Sequence, residues 1–275
     1  MAGLIRLADH AGGGELWPIA GIVAGIMSAS GCGPLLSSGL VTEMMTQWNP
    51  ATIETLNREV IACTACSRLI HYCRQVAREK RRMYRDSEYW GRPLPGFGDP
   101  EAELLLVGLA PAAHGGNRTG RMFTGDRSGD FLYRALYEAG WANQPTSRER
   151  GDGLELRGCY ITAALRCAPP ANKPLPDELR RCRHWLETEI GLLKRVRAAL
   201  ALGRIAFDAY LNTISRVEGF PPRASLRFAH GASFALPNGP RLFASYHPSQ
   251  QNTQTGRLTP AMMKGVLQDI RQFLA

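Results

Sequence analysis

Two groups of residues in this 275-residue chain have the types and spacing to do chemistry. The first is the stretch GLAPAAHGGNRTGRMFTGD, residues 108–126, which leaves an apolar run and closes on an acid. Its glycines let backbone pass close to a sugar, base or phosphate, while Phe123 offers an aromatic face and Asp126 a carboxylate. The second group is thiols. Cys63 and Cys66, in CTAC, have the two-residue gap that lets one turn present both sulfurs to one ion or cluster. Alone, that pair equally suits a redox dithiol or half a zinc site. Cys167 and Cys182 follow, with 14 residues between them. Four thiolates from two separated segments suit a [4Fe–4S] cluster or a structural zinc, and the residue types do not separate the two. Cys32, Cys73 and Cys159 read as unpaired, Cys159 as a small core residue in an apolar strand and Cys73 as a spare thiol.

The elements that must position these groups repeat as strand then helix. AELLLVGLA has no alternation of polar and apolar residues, as expected of a strand covered on both faces of a parallel sheet. Further strands are expected in GCYITAALRC, RAALALG and RLFASYHP, and a hairpin in LRFAHGASFAL. Helices are expected from Thr52 to Arg82, interrupted at the two cysteines, and after Ser128, which can cap a helix ending near Gly140. Three more fall in LPDELRRCRHWLETEIGLLKRV, RIAFDAYLNT and LTPAMMKGVLQDIRQFLA. The pattern predicts a three-layer α/β/α fold on a central, mostly parallel four-stranded sheet, in residues 48–275. In such sheets ligands bind beyond the carboxyl ends of the strands. Polar loops stand at three of those ends, residues 110–126, 166–173 and 246–252.

Lys and Arg outnumber Asp and Glu by 33 to 24, a net charge of +9 that favours a polyanionic partner. Residues 68–92 alone carry eight basic residues against three acids, a phosphate-seeking face or a solvated one. Residues 1–47 are rich in Gly and Ser and read as a poorly structured extension. Their apolar run WPIAGIVAGIM is too short to span a bilayer, and Asp9 and Glu15 are out of place in a secretion leader. A cytosolic protein without membrane association is therefore expected.

With these pieces placed, the chain resembles the uracil-DNA glycosylase superfamily, and within it the iron–sulfur branch called family 5. The motifs are GLAPAAHGGNRTGRMFTGD, the two cysteine pairs, CAPPANKP and YHPSQQN, spread over roughly residues 58–275. The resemblance implies a monofunctional DNA repair enzyme acting as a monomer on double-stranded DNA. Such an enzyme hydrolyses the N-glycosidic bond of uracil or another deaminated base and carries a structural [4Fe–4S] cluster, here on Cys63, Cys66, Cys167 and Cys182. It implies Asp126 as the carboxylate that orients water or stabilises the sugar cation, with helix capping as its plain alternative. It implies His247 as donor to the base oxygen and Asn172 as a second polar catalytic group, beside the reading of Asn172 as a turn residue. Gly108, Ala110, Pro111, Ala112, Phe123 and Ala163 would form the base pocket, with Phe123 stacking on the base.

Related branches place an asparagine where this chain has Ala163, which predicts a roomier pocket that also accepts hypoxanthine or ethenocytosine. Arg118, Arg121, Ser249, Gln250 and Arg257 are expected to contact DNA. Arg257 or Leu258 would plug the gap left by the flipped base, unless Leu258 simply begins the last helix. Two other readings stay open: a non-catalytic iron–sulfur DNA-binding or redox-sensing protein, and a zinc-stabilised hydrolase of free nucleotides.

Overall fold

Along β2 (Leu104–Gly108), Leu104 and Leu106 point to one face of a sheet, and Leu105 and Val107 to the other. All four are fully buried, which is why the stretch carries no polar alternation. The structure is a computed structural model that describes residues 52–275 except residue 238; the expectations for residues 1–47, Cys32 included, lie outside the described residues.

Four five-residue strands form the centre: β2, β3 (Cys159–Ala163), β4 (Ala198–Leu202) and β6 (Arg241–Ser245). They run parallel in the order β3-β2-β4-β6. Two-residue antiparallel strands, β1 (Phe97–Gly98) and β5 (Ser233–Phe234), extend the edges, so the sheet has six strands where four were expected. Strands this short leave no periodicity to read. The expected hairpin is likewise reduced to β5. Upstream of it, Phe228 packs on Phe207 and Tyr246, with ring centroids 5.6 and 6.2 Å away, instead of pairing as a strand.

On one face of the sheet lie α4 (Arg127–Glu138) and α8 (Pro260–Leu274), burying Leu132, Leu136, Met263, Leu267 and Ile270 against β2, β3, β4 and β6. On the other lie α1 (Ile53–Ala62), α5 (Pro176–Leu192) and α6 (Arg204–Ile214), contributing Leu56, Val60, Leu186, Phe207 and Leu211. These are the expected three layers. At about 1.5–3 kcal/mol for each fully buried large apolar side chain, the two faces supply the main stabilisation of the strand ends that carry the site.

The helix expected from Thr52 breaks at CTAC. Thr52 Oγ1 caps α1 by accepting from Thr55 N (3.2 Å), and Cys63 turns to extended backbone. The chain resumes as α2 (Ser67–Glu79) and ends in a 3₁₀ turn, Arg82–Tyr84. A third small core of Leu69, Cys73, Leu165, Cys167 and Ala168 fixes α2 to the chain leaving β3. The long loop after β2 holds α3 (Gly116–Thr119), and α7 (Gln250–Gln254) lies between β6 and α8.

Candidate active site and thiol pocket

Loops at the carboxyl ends of β2, β3 and β6 converge on one cleft of about 720 Å³. Ala110, Pro111, Ala112, Phe123 and Asp126 come from the first loop, Ala163 and Asn172 from the second, and His247, Ser249 and Gln250 from the third. Gly108 lies just behind, where a Cβ would stand 2.9 Å from the Phe123 ring. Phe123 itself is held at φ +50°, a conformation unusual for an aromatic residue. Its ring centroid is 5.9 Å from that of His247, with the planes inclined at 33°.

Asp126 is the N-cap of α4. Its Oδ1 accepts from Gly129 N at 3.0 Å, so the cap is Asp126 and not Ser128, which lies inside the helix. Burial pushes this carboxyl up, and N–H groups of Gly129 and Ser128 only partly offset it. Its other oxygen is crowded against Gly115, where any Cβ would collide with it. Burial holds the His247 imidazole down at about 4, so it is neutral near pH 7. Asn252 fixes the His247 backbone, its Nδ2 donating to His247 O at 2.8 Å, while Ser249 caps α7. Asn172 is exposed and follows Ala171 in a pair of left-handed residues, φ +53° and +55°. A single asparagine tolerates that conformation and an alanine rarely does, so this turn is held by its surroundings.

The four expected cysteine ligands also meet. Cys63, Cys66, Cys167 and Cys182 line one small cavity with Leu69, Trp185, Arg166 and Arg181. Burial pushes the Cys182 thiol up to about 12 against the pull of Arg166. Among the described residues, no group of three or more His, Cys, Asp or Glu side chains is arranged to hold a metal ion. The walls of this cavity are cross-braced. Arg68 donates to both Glu178 oxygens at 2.7 Å, and Arg181 Nη1 donates to Ala65 O at 3.3 Å. The guanidinium of Arg166 is wholly buried, yet its Nε and Nη1 have no partner among the described residues. Unpartnered buried donors beside four thiols fit an anionic, sulfur-rich occupant.

The profile of the uracil DNA glycosylase superfamily matches residues 95–271. A type-5 uracil-DNA glycosylase from Thermus thermophilus is 52% identical over 220 residues, covering 80% of this chain and 97% of the relative. One from Mycobacterium leprae is 48% identical over 230 residues, 83% of this chain and 99% of the relative. The chain belongs to the uracil-DNA glycosylase superfamily. Its likeness to a type-4 uracil-DNA glycosylase from Archaeoglobus fulgidus is weaker, 32% identity over 134 residues, 46% of this chain and 59% of that relative. The type-5 branch is therefore its place within the superfamily.

Two expected DNA contacts need correction within this glycosylase fold. Arg121 is buried, 5% exposed, and donates to both oxygens of Asp152 at 2.9 and 2.8 Å and to Ser147 and Thr124. Burial pushes the Asp152 carboxyl up, but Arg121 and three backbone N–H groups outweigh it and hold the acid at about 2. Every nitrogen of the Arg121 guanidinium is thus engaged inside the protein instead of on a phosphate. Leu258, 1% exposed, is neither a plug nor part of the last helix; it packs in the core ahead of α8, whose cap is Thr259. Arg118 is half-buried and knits its own loop, donating to His114 O and Gly125 O and lying 4.0 Å from the Tyr84 ring centroid. Gln250 and Arg257 are exposed, Arg257 over the ring of Tyr246.

The cleft also includes Arg81 together with three residues that were not singled out in the sequence, Tyr72, Tyr84 and His114. Arg81, Tyr72 and Tyr84 come from the basic segment, whose charge was legible but not its position beside the cleft. His114 Nδ1 is 3.0 Å from Tyr89 Oη.

Proposed function

We propose that this protein is a monofunctional DNA glycosylase that flips uracil out of double-stranded DNA into the cleft, hydrolyses the N-glycosidic bond and leaves an abasic site. The observation that carries this reading is the meeting of Asp126, Phe123 and His247 on one cleft at the carboxyl ends of parallel strands. Phe123 stacks on the flipped base. Asp126 faces the sugar, where its charge stabilises the developing oxocarbenium ion and orients water. As the C1′–N bond breaks, its electron pair passes to the base; water then adds its oxygen to C1′ and gives up a proton, through the Asp126 carboxylate, which ends on the released base. The neutral His247 imidazole donates an N–H to the base oxygen that gains charge, at no cost in prior deprotonation. Asn172, at the cleft rim, is the second polar group available to the water.

Ala163 is buried in the cleft wall and has no group with which to read a base edge. The pocket therefore tolerates hypoxanthine and ethenocytosine as well as uracil. Backbone contacts fall to Gln250, Ser249, Arg257, Arg118 and the exposed Arg81, Arg82 and Arg85 beside the cleft.

Cys63, Cys66, Cys167 and Cys182 hold a [4Fe–4S] cluster; four thiols lining one cavity, with unpartnered donors of a buried arginine beside them, support an anionic metal–sulfur group, and the likeness of the motifs to the iron–sulfur branch selects the cluster over zinc. The cluster supplies a cross-link between the loop after α1 and the chain following β3. The protein works as a monomer in the cytosol; no helix among the described residues is long and apolar enough to cross a membrane.

The test is alkali-induced strand cleavage of labelled duplexes carrying a single uracil, hypoxanthine or ethenocytosine, with iron and sulfide content determined. Cleavage at several lesions is expected. Cleavage at uracil alone removes the broad-pocket reading, and DNA binding without base release from the metallated protein returns the binding-protein reading.

A further inference from the structure

Arg166 is the side chain whose surroundings are least complete. It lies immediately before Cys167, is 1% exposed, and lines the cavity shared by the four thiols. One end of its guanidinium is satisfied. Nη2 donates to Glu189 Oε2 at 2.5 Å, and Glu189, with no exposed surface, also accepts from Tyr160 Oη at 3.2 Å. Tyr160 belongs to β3, so this chain of bonds runs from the central sheet to the cavity wall. Gly96 closes it from the side, where any Cβ would collide with Tyr160 and Glu189.

The other end of the guanidinium is not satisfied. Nε and Nη1 are buried without an acceptor among the described residues. An ion pair to Glu189 alone would be served by a side chain with fewer donors, and leaving charged N–H groups dry and unpaired is costly. A rigid fork of donors suits an extended acceptor surface. The sulfurs of a metal–thiolate cluster are such acceptors, and the cluster bears net negative charge.

We propose that Arg166 is a positioning residue for the cluster: Nε and Nη1 donate hydrogen bonds to its sulfurs, while Glu189 and Tyr160 lock the guanidinium in that orientation. The inference rests on the reading of the cavity as an iron–sulfur site. Hydrogen bonds and positive charge at cluster sulfur favour the reduced form and slow loss of iron. Arg166 thus governs how firmly the cluster is held and at what potential it takes up an electron, whether or not the glycosylase uses one.

The experiment compares purified wild-type holoprotein with Glu189→Gln, Arg166→Lys, and the double variant Arg166→Met with Glu189→Gln. The double variant removes the buried charges together and keeps an acceptor for Tyr160. Iron and sulfide per chain, the rate of bleaching by an iron chelator and the midpoint potential are measured. The double variant is expected to lose its cluster about 10- to 100-fold faster and at a more negative potential. Arg166→Lys, which keeps a partner for Glu189, is expected to shift in the same direction and covers the case in which the double variant does not fold. Glu189→Gln keeps the donors and removes a negative charge, so its potential moves the opposite way. If Arg166→Lys and any folded double variant bleach at the wild-type rate and potential, Arg166 is only the partner of Glu189. If the wild type carries zinc without sulfide, the cluster reading fails and this inference falls with it.

Discussion

Phe123 and His247 face each other across the cleft with ring centroids 5.9 Å apart, although they come from loops after different strands, β2 and β6. Both are fixed by glycine. Gly108 lets the Phe123 ring lie against β2, and at Gly203 a Cβ would stand 3.1 Å from the His247 Cβ. The spacing of the two rings is thus a property of the strand ends, not of loop flexibility.

Gly108→Ala tests that dependence. The added methyl meets the Phe123 ring at 2.9 Å and displaces it from its stacking position. Because misplacement of about 1 Å at a reacting centre can cost ~10²-fold, base release should fall by roughly that factor. DNA binding should change little. Single-turnover cleavage alongside gel-shift affinity makes the comparison.

Asp126→Asn should separate stability from activity. Asparagine also caps a helix, and it removes a carboxylate that burial makes expensive to ionise. The melting temperature is expected to stay the same or rise, while cleavage drops by about 10²–10⁴-fold, as for loss of a positioned acid–base group. Cleavage that survives in Asp126→Asn would mean that Asp126 is chiefly a cap.

His247 makes a signed pH prediction. Its folded value, about 4, lies below that of a free histidine. Between about pH 6.5 and 4 the unfolded chain binds a proton that the folded protein does not. Stability therefore declines as pH falls through this window, and the contribution is complete only above it. His247→Gln should flatten that slope in urea melts at graded pH. Removing the donor should also lower the cleavage rate by about 10²–10³-fold at pH 7.

The two classes of arginine should part company. Breaking the buried Arg121–Asp152 pair with Arg121→Met should cost about 3–5 kcal/mol of folding stability and leave the salt dependence of DNA binding unchanged. Arg82→Ala, at an exposed position, should spare stability and reduce the salt slope by about 1 for each phosphate it no longer neutralises. An unchanged slope in Arg82→Ala would remove this segment from the DNA-binding face.

How much of this was legible follows from what each residue reports. The apolar runs gave the four central strands because both faces of the sheet are covered, and CTAC marked the break between α1 and α2. The edge strands, two residues each, had no pattern to show. Arg121 illustrates a harder limit: its place in a glycine-rich motif suggested a phosphate, but Asp152 lies 31 residues on and only the fold brings the two together. Tyr72, Tyr84 and His114 were invisible for the same reason. Ser128 and Asp126 were both good caps by type, and the choice fell to the residue whose extended backbone precedes the first turn.

The thiol pocket draws its walls from segments far apart in the chain, Cys63 with Cys66 and Cys167 with Cys182. During synthesis the first pair, complete at Cys66, must wait for 116 further residues before the fourth sulfur exists (182 − 66). At about 5–20 residues per second, that is roughly 6–23 s on the ribosome. Through that interval the first two thiols have no partners from the second segment, so the site can be filled only after nearly two thirds of the chain has been made.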